Sequence, residues 1–309
     1  MLTRASKWIA GAWVFIFFTL LLSMLPYSRI GAADEGQYWA VVVGISEYAD
    51  SNLDVGYTAR SAIELHEQMA SIWGDDHTKL LVDSEATKLN IHTSIIDWLG
   101  SKAGANDTVL FFFTGHGDEY GPCDYLCAYD KDISDIELND WLNNISSSAQ
   151  IIMLDSCHSG GFIEELSGEN RIVMTACGAE QHANTLITLG YSIFPFCILQ
   201  AFKNLDDANI RNDGLISAEE IYEYADSQVP RYIGENQIAQ FYDGYPGELR
   251  LLDVPITSTE VVFENPPSTG IFSNGILLLL IIGTAGLISL ALLFFVVRSK
   301  LSKQVKNPQ

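Results

Sequence analysis

Thr108-Val109-Leu110-Phe111-Phe112-Phe113-Thr114-Gly115-His116-Gly117 is the stretch on which the fold turns. Its first seven residues carry no charge and include three consecutive phenylalanines. A strand with that composition has no face fit for water, so it belongs inside a sheet covered on both sides. Asn106-Asp107 punctuates its start, and glycine on both sides of His116 lets the chain turn sharply where it ends. The same grammar returns in Ile151-Ile152-Met153-Leu154-Asp155-Ser156-Cys157-His158-Ser159-Gly160-Gly161. A second buried strand runs Gln150–Asp155, stops abruptly and presents a cysteine followed by a double glycine.

Outward from these two runs the pattern alternates. Trp39–Ile45 and Arg171–Ala176 are further continuous apolar strands, and Lys79–Val82 is a short one. Helical periodicity falls between them, over Tyr57–Trp73 and Leu89–Leu99 and again from a Ser134/Glu137 capping box through Leu142. Tyr191–Lys203 and Ser217–Gln228 read as later helices and Glu248–Leu252 as a last strand. There is no internal repeat. This βαβα order predicts an α/β domain with a mostly parallel sheet and helices on both faces. Ligand sites in such sheets form outside the carboxyl ends of the strands, where both glycine-flanked motifs fall.

The two ends of the 309-residue chain differ from its middle. Arg4 and Lys7 precede the uncharged run Trp8–Leu25, and Gly31-Ala32-Ala33 supplies small residues before Asp34. Residues 1–33 therefore read as a signal peptide, or as an anchor if uncleaved. Residues 34–255 form the globular domain and 256–275 a Pro/Ser/Thr/Gly-containing linker. Residues 276–297 are 22 without a charge, the length of a membrane-spanning helix. Arg298, Lys300, Lys303 and Lys306 make 298–309 a basic tail of the cytoplasmic kind. The expected localisation is the cell membrane, single-pass, with the globular domain extracytoplasmic.

All 39 acidic residues but only ten of the 17 basic ones lie between residues 34 and 275, a formal charge of about −29 for that segment. Such a surface has no basic patch to displace phosphate counterions, which argues against nucleic-acid partners. It suits basic substrates, or merely keeps the domain soluble. The five cysteines are Cys123, Cys127, Cys157, Cys177 and Cys197, an odd number for an exported domain, so a free reactive thiol is expected. Cys123 and Cys127 form either a small disulfide or two separate thiols. No second CxxC or His pair supports zinc.

His116 and Cys157 carry the chemistry. An imidazole at a strand end is suited to moving protons near neutral pH. A thiol within its reach is activated as a nucleophile, and exposed N–H groups at the glycines can hold an oxyanion. If the two strands are neighbours, both side chains meet at one edge of the sheet as a Cys–His dyad, the minimum for acyl transfer.

Strand–Gly-His-Gly followed by strand–Asp-Ser-Cys-His-Ser-Gly-Gly resembles the caspase-fold cysteine peptidases, with metacaspase-like and prokaryotic caspase-domain proteins the best motif match. Arg171–Cys177 is also similar to the legumain branch. The resemblance runs from about Trp39 to about Leu252. It implies a caspase-like sheet, protein or peptide substrates, Cys157 as nucleophile, His116 as general base and acid, and the Gly117 and Cys157 N–H groups as oxyanion hole. It also implies that Asp155 lines a specificity pocket for Arg or Lys, where a buried carboxylate calls for a cation. Arg60 departs from the pattern near where a second pocket aspartate is expected. Either Asp54 compensates, or Arg60 pairs with an acid and selectivity is weaker. Arg171, which closes the loop from Gly160, is a candidate self-cleavage site. Alternatives to a peptidase are a membrane-anchored transamidase, whose anchor-attaching catalytic subunit shares this topology, and a non-catalytic surface binding module.

No cofactor is expected, with calcium a minor candidate. Asn209–Glu220 has the spacing of an EF-hand loop, with Gly214 sixth and Glu220 twelfth, and Asp213 and Glu220 as ligands. Arg211 stands where an acid is needed, and a Ser217/Glu220 capping box accounts for the same letters. The remaining histidines read as surface or loop residues.

Overall fold

A computed structural model of the chain describes residues 36–254. The signal segment 1–33, the linker 256–275, the apolar run 276–297 and the tail 298–309 lie outside the described residues. Among the described residues no helix is long and apolar enough to cross a membrane.

In chain order the elements are β1 (Tyr38–Gly44), α1 (Thr58–Trp73), β2 (Thr78–Val82), α2 (Lys88–Thr93), β3 (Thr108–Thr114), β4 (Gly117–Tyr120), β5 (Cys123–Cys127), β6 (Asp132–Ser134), α3 (Asp135–Asn143) and β7 (Ala149–Asp155). There follow α4 (Phe162–Leu166), β8 (Arg171–Thr175), β9 (Thr185–Leu186), β10 (Tyr191–Ser192), α5 (Ile193–Lys203), α6 (Leu205–Ala208), β11 (Leu215–Ser217), α7 (Ala218–Ile233), β12 (Gln240–Asp243) and β13 (Arg250–Asp253). The main sheet runs β12-β8-β7-β3-β1-β2. Its first five strands in sequence are mutually parallel, and β12 closes one edge antiparallel to β8.

Every residue of β3 and β7 is buried, as their unbroken apolar runs require. Alternation along the strands divides the core in two. Val42, Leu110, Phe112, Ile151, Met153 and Met174 face helices α1, α5 and α7. Val41, Val43, Phe111, Phe113, Ile152 and Leu154 face α2, α3 and α4. Burying each phenylalanine of β3 stabilises the fold by about 2–3 kcal/mol. The site grows from their ends.

Both capping boxes form: Ser134 and Glu137 start α3, and Ser217 and Glu220 start α7. The helix expected over Leu89–Leu99 widens into a π-helical turn at Ser94–Leu99. Helix α7 extends beyond Gln228 to Ile233, carrying Pro230 near its C-terminus. The late strand belongs to a small ladder with β11, outside the main sheet. Strand β12 and the β4–β5–β6 meander are short and polar, and they have no periodicity to betray them.

Three further expectations meet the structure differently. Cys123 and Cys127 are free thiols on one strand. They stand four positions apart along the strand, about 13 Å, beyond disulfide reach. Arg171 is buried at the start of β8, its guanidinium held by Gln150, Asn139, Asn143 and the Leu166 carbonyl. It is therefore no accessible cleavage site. In the EF-hand-like loop, the Arg211 guanidinium lies among Glu220, Glu223 and Glu248, 2.9–3.6 Å from their oxygens. Asp213 accepts the Leu215 N–H, and Glu220 caps α7. The Glu220 carboxylate is thus engaged both by the Arg211 cation and by the start of α7. Among the described residues no group of three or more His, Cys, Asp or Glu is set to hold a metal ion.

Candidate active site

Strands β3 and β7 are neighbours, parallel, in a register that sets Thr114 opposite Asp155. His116 and Cys157 each lie two residues beyond those partners, so they leave the sheet side by side at its carboxyl end. The two turns are packed backbone against backbone. A Cβ on Gly117 would lie 2.3 Å from the Cys157 carbonyl oxygen and 2.6 Å from Ser156 Oγ. Glycine is the only residue that fits after His116, because the strand carrying the cysteine comes this close.

Two residues absent from the sequence reading hold His116. The Tyr48 hydroxyl accepts the His116 backbone N–H at 2.7 Å, and the two rings are in tilted contact at 5.2 Å. Tyr48 is buried, which pushes its phenol well above its ordinary range and keeps it neutral. His116 Nε2 lies 2.8 Å from the Leu53 carbonyl oxygen. A carbonyl can only accept, so Nε2 carries the hydrogen and Nδ1 keeps its lone pair, the form a general base needs.

Cys157 is half-buried. Desolvation pushes its thiol up, and the charge of Asp155 adds to this. The nearby backbone N–H groups of Ala183 and of Cys157 itself pull the other way. At rest the group is a thiol, so a base must take its proton as it attacks. Cys177 and Cys197 are fully buried and have no such access.

Asp155 is 1 % exposed, at the end of β7. It accepts from the Thr114 hydroxyl at 2.6 Å and from the Ser192 hydroxyl at 2.9 Å. Burial pushes its carboxyl up to about 6, with the two hydroxyls opposing. Arg60 does not reach it. Its guanidinium lies 3.2 Å from Glu64, donates to the Leu189 carbonyl and covers the Tyr191 ring. Tyr191 in turn donates to Glu64. Arg60 therefore clamps the β9–β10 hairpin, whose next residue, Ser192, holds Asp155. Asp54 is also spoken for: it accepts the Tyr48 N–H at 2.9 Å and steadies the loop that supports His116.

Thus His116, Gly117, Cys157 and Asp155 gather at one end of the sheet, while Asp54 and Arg60 support the loops around it. Tyr48, the Leu53 carbonyl, Thr114, Ala183 and Ser192 complete the arrangement. No periodicity marks residues of this kind, which lie at strand ends and in loops.

The family model of the caspase domain, Peptidase C14, matches residues 37–244. No curated protein matches the chain. A solved structure of a protein from Geobacter sulfurreducens is similar with a TM-score of 0.53 and 15% identity, over 68% of this chain and 94% of that one. At that identity the likeness concerns the fold alone.

Proposed function

The chain belongs to the caspase-domain family of cysteine peptidases, and we propose that it is an endopeptidase that uses Cys157 and His116 to cleave after arginine or lysine. The observation that carries this reading is the β3–β7 register, which brings one imidazole and one thiol out of adjacent strands at the same level. His116 Nδ1 takes the thiol proton as the sulfur bonds to the scissile carbonyl. The Gly117 and Cys157 N–H groups receive the oxyanion. His116 then returns its proton to the leaving amine, and the carbon–nitrogen bond breaks to leave a thioester. Water, deprotonated by the same imidazole, releases the acid.

Basic specificity is supported by Asp155. A carboxylate that is dry, charged above about pH 6 and has no cation partner among the described residues gains most from a guanidinium or ammonium brought by the substrate. Membrane tethering through 276–297 belongs to the same reading and is supported by the uncharged run and its basic flank. Resistance of the full chain to alkaline carbonate extraction tests it; release with soluble protein counts against it.

The test of function is a fluorogenic peptide panel varied at the residue before the scissile bond, with wild type set against Cys157→Ala. The expected result is cleavage after Arg and Lys that Cys157→Ala abolishes. Cleavage that survives Cys157→Ala sinks the reading, and acyl transfer only to an added amine favours a transamidase instead.

A further inference from the structure

Gln237 lies between α7 and β12, far along the chain from the strand ends that carry His116 and Cys157. Its side chain is 1 % exposed, a depth at which an amide needs partners for both of its ends. It finds them on two separate segments. Oε1 accepts the Asn184 N–H at 2.7 Å, and Nε2 donates to the Ala176 carbonyl at 3.0 Å. Neither bond survives a flip of the amide, because a backbone N–H only donates and a carbonyl only accepts.

Both segments lead to Asp155. Ala176 follows β8, and its own N–H donates at 2.9 Å to the carbonyl of Leu154, the residue before Asp155 on β7. Asn184 opens the β9–β10 hairpin, in which Ser192 pairs with Thr185. The Asn184 carbonyl accepts the Ile193 N–H at 3.0 Å and lies 3.5 Å from Ser192 Oγ, which donates to Asp155 at 2.9 Å. Arg60 holds the tip of this hairpin through the Leu189 carbonyl, and the Gln237 amide holds its base. A second glutamine ties the neighbouring turn to the same segment. Gln181 Oε1 accepts the Gly178 N–H at 3.0 Å and the Ile238 N–H at 3.1 Å.

We infer that Gln237 is a positioning residue for substrate selection: its amide fixes the spacing between the end of β7 and the β9–β10 hairpin, and so holds the Asp155 carboxylate, through the Ser192 hydroxyl, in the orientation that receives a basic side chain. The inference deepens the proposed function and rests on Asp155 selecting arginine and lysine. Gln237 touches neither substrate nor reacting atoms; it acts through Asn184 and Ser192. With the bridge cut, the base of the hairpin is free to drift from β7, and a charge-assisted contact depends on just such geometry.

The experiment compares arginyl and norleucyl peptides on the full chain, for wild type, Gln237→Met and Gln237→Glu. Methionine keeps the length of the side chain and removes both bonds. Glutamate keeps an oxygen for the Asn184 N–H and, held neutral by burial, an O–H for the Ala176 carbonyl. The ratio of kcat/KM for arginine over norleucine is expected to fall about tenfold in Gln237→Met, the worth of one hydrogen bond, with the loss mainly in KM for the arginyl peptide. In Gln237→Glu the ratio stays within about threefold of wild type on the same scale. A chain that is merely destabilised loses turnover of both peptides together and leaves the ratio where it was. A wild-type ratio in Gln237→Met therefore overturns the inference. So does a ratio in Gln237→Glu that falls as far as in methionine, an arm that holds even if the methionine chain folds poorly. Wild type that cleaves both peptides alike takes down the basic-specificity reading and this inference with it, whereas a selective wild type with equally selective variants takes down this inference alone.

Discussion

Replacing Asp155 by asparagine is expected to stabilise the protein while disabling its recognition of basic residues. The carboxyl of Asp155 sits at about 6, against an ordinary 3.8, because it is wholly desolvated. At 1.36 kcal/mol for each tenfold change in proton affinity, that gap corresponds to about 3 kcal/mol. The raised folded value fixes the sign. Below pH 3.8 the group is neutral in both states and costs nothing. Between 3.8 and 6 only the unfolded chain ionises, so stability falls as pH rises, and above 6 the full cost is in place.

Asparagine never ionises, so near pH 7.5 the variant escapes that cost. Thr114 and Ser192 both donate to the carboxylate, and one hydroxyl must turn its proton away from the new amide. This takes back about 1 kcal/mol and leaves a gain of about 2 kcal/mol. For a domain of this size the gain is a rise in Tm of roughly 4–8 °C at pH 7.5, shrinking as the pH falls from 6 toward 4. In the same protein, kcat/KM for arginyl peptides falls roughly 100-fold, the value of a lost charge-assisted contact. Thermal melts at several pH values and a paired arginyl and norleucyl substrate assay check both halves. A variant that melts lower than wild type at pH 7.5, or that still prefers arginine, refutes the account of Asp155.

Further outcomes follow from the geometry. His116→Ala lowers kcat by at least about 1,000-fold with little change in Tm, because the imidazole is at the surface of the site and supplies proton transfer; stopped-time peptide assays and melts read this. Tyr48→Phe leaves the half-buried His116 N–H without its acceptor, lowering stability by about 1–2 kcal/mol and kcat about tenfold through a slack turn, measurable by urea unfolding and steady-state kinetics. Gly117→Ala forces the two turns apart, since its Cβ would meet the Cys157 carbonyl at 2.3 Å, and abolishes hydrolysis more completely than it lowers Tm.

Much of this was legible in the sequence because buried parallel strands cannot disguise themselves. The phenylalanine run of β3 and the Ile-Ile-Met-Leu run of β7 announce both the sheet and, at their ends, His116 and Cys157. A dyad carried by strand ends is readable for the same reason. The groups that tune it were not. Tyr48 and Leu53 come from the loop after β1, and Leu53 acts through its carbonyl, which every residue possesses. Ala183 acts through its N–H. Of the two readings left open for Arg60, pairing with an acid is the one the structure shows, with Glu64; what linear proximity hid is the Tyr191 ring that holds it on the hairpin. Arg171 looked like an exposed loop end, and only the packing of α3 against β7 and β8 reveals four side-chain and main-chain acceptors around its guanidinium.

The central claim is that one imidazole activates one thiol at the carboxyl ends of β3 and β7. It is tested most directly by treating the full chain with a peptidyl acyloxymethyl ketone bearing arginine next to the warhead and mapping the adduct by mass spectrometry. The account predicts a single thioether on Cys157, slowed at least about 100-fold by His116→Ala. An adduct on Cys123 or Cys127, or labelling of Cys157 that proceeds at full rate without the imidazole, contradicts it.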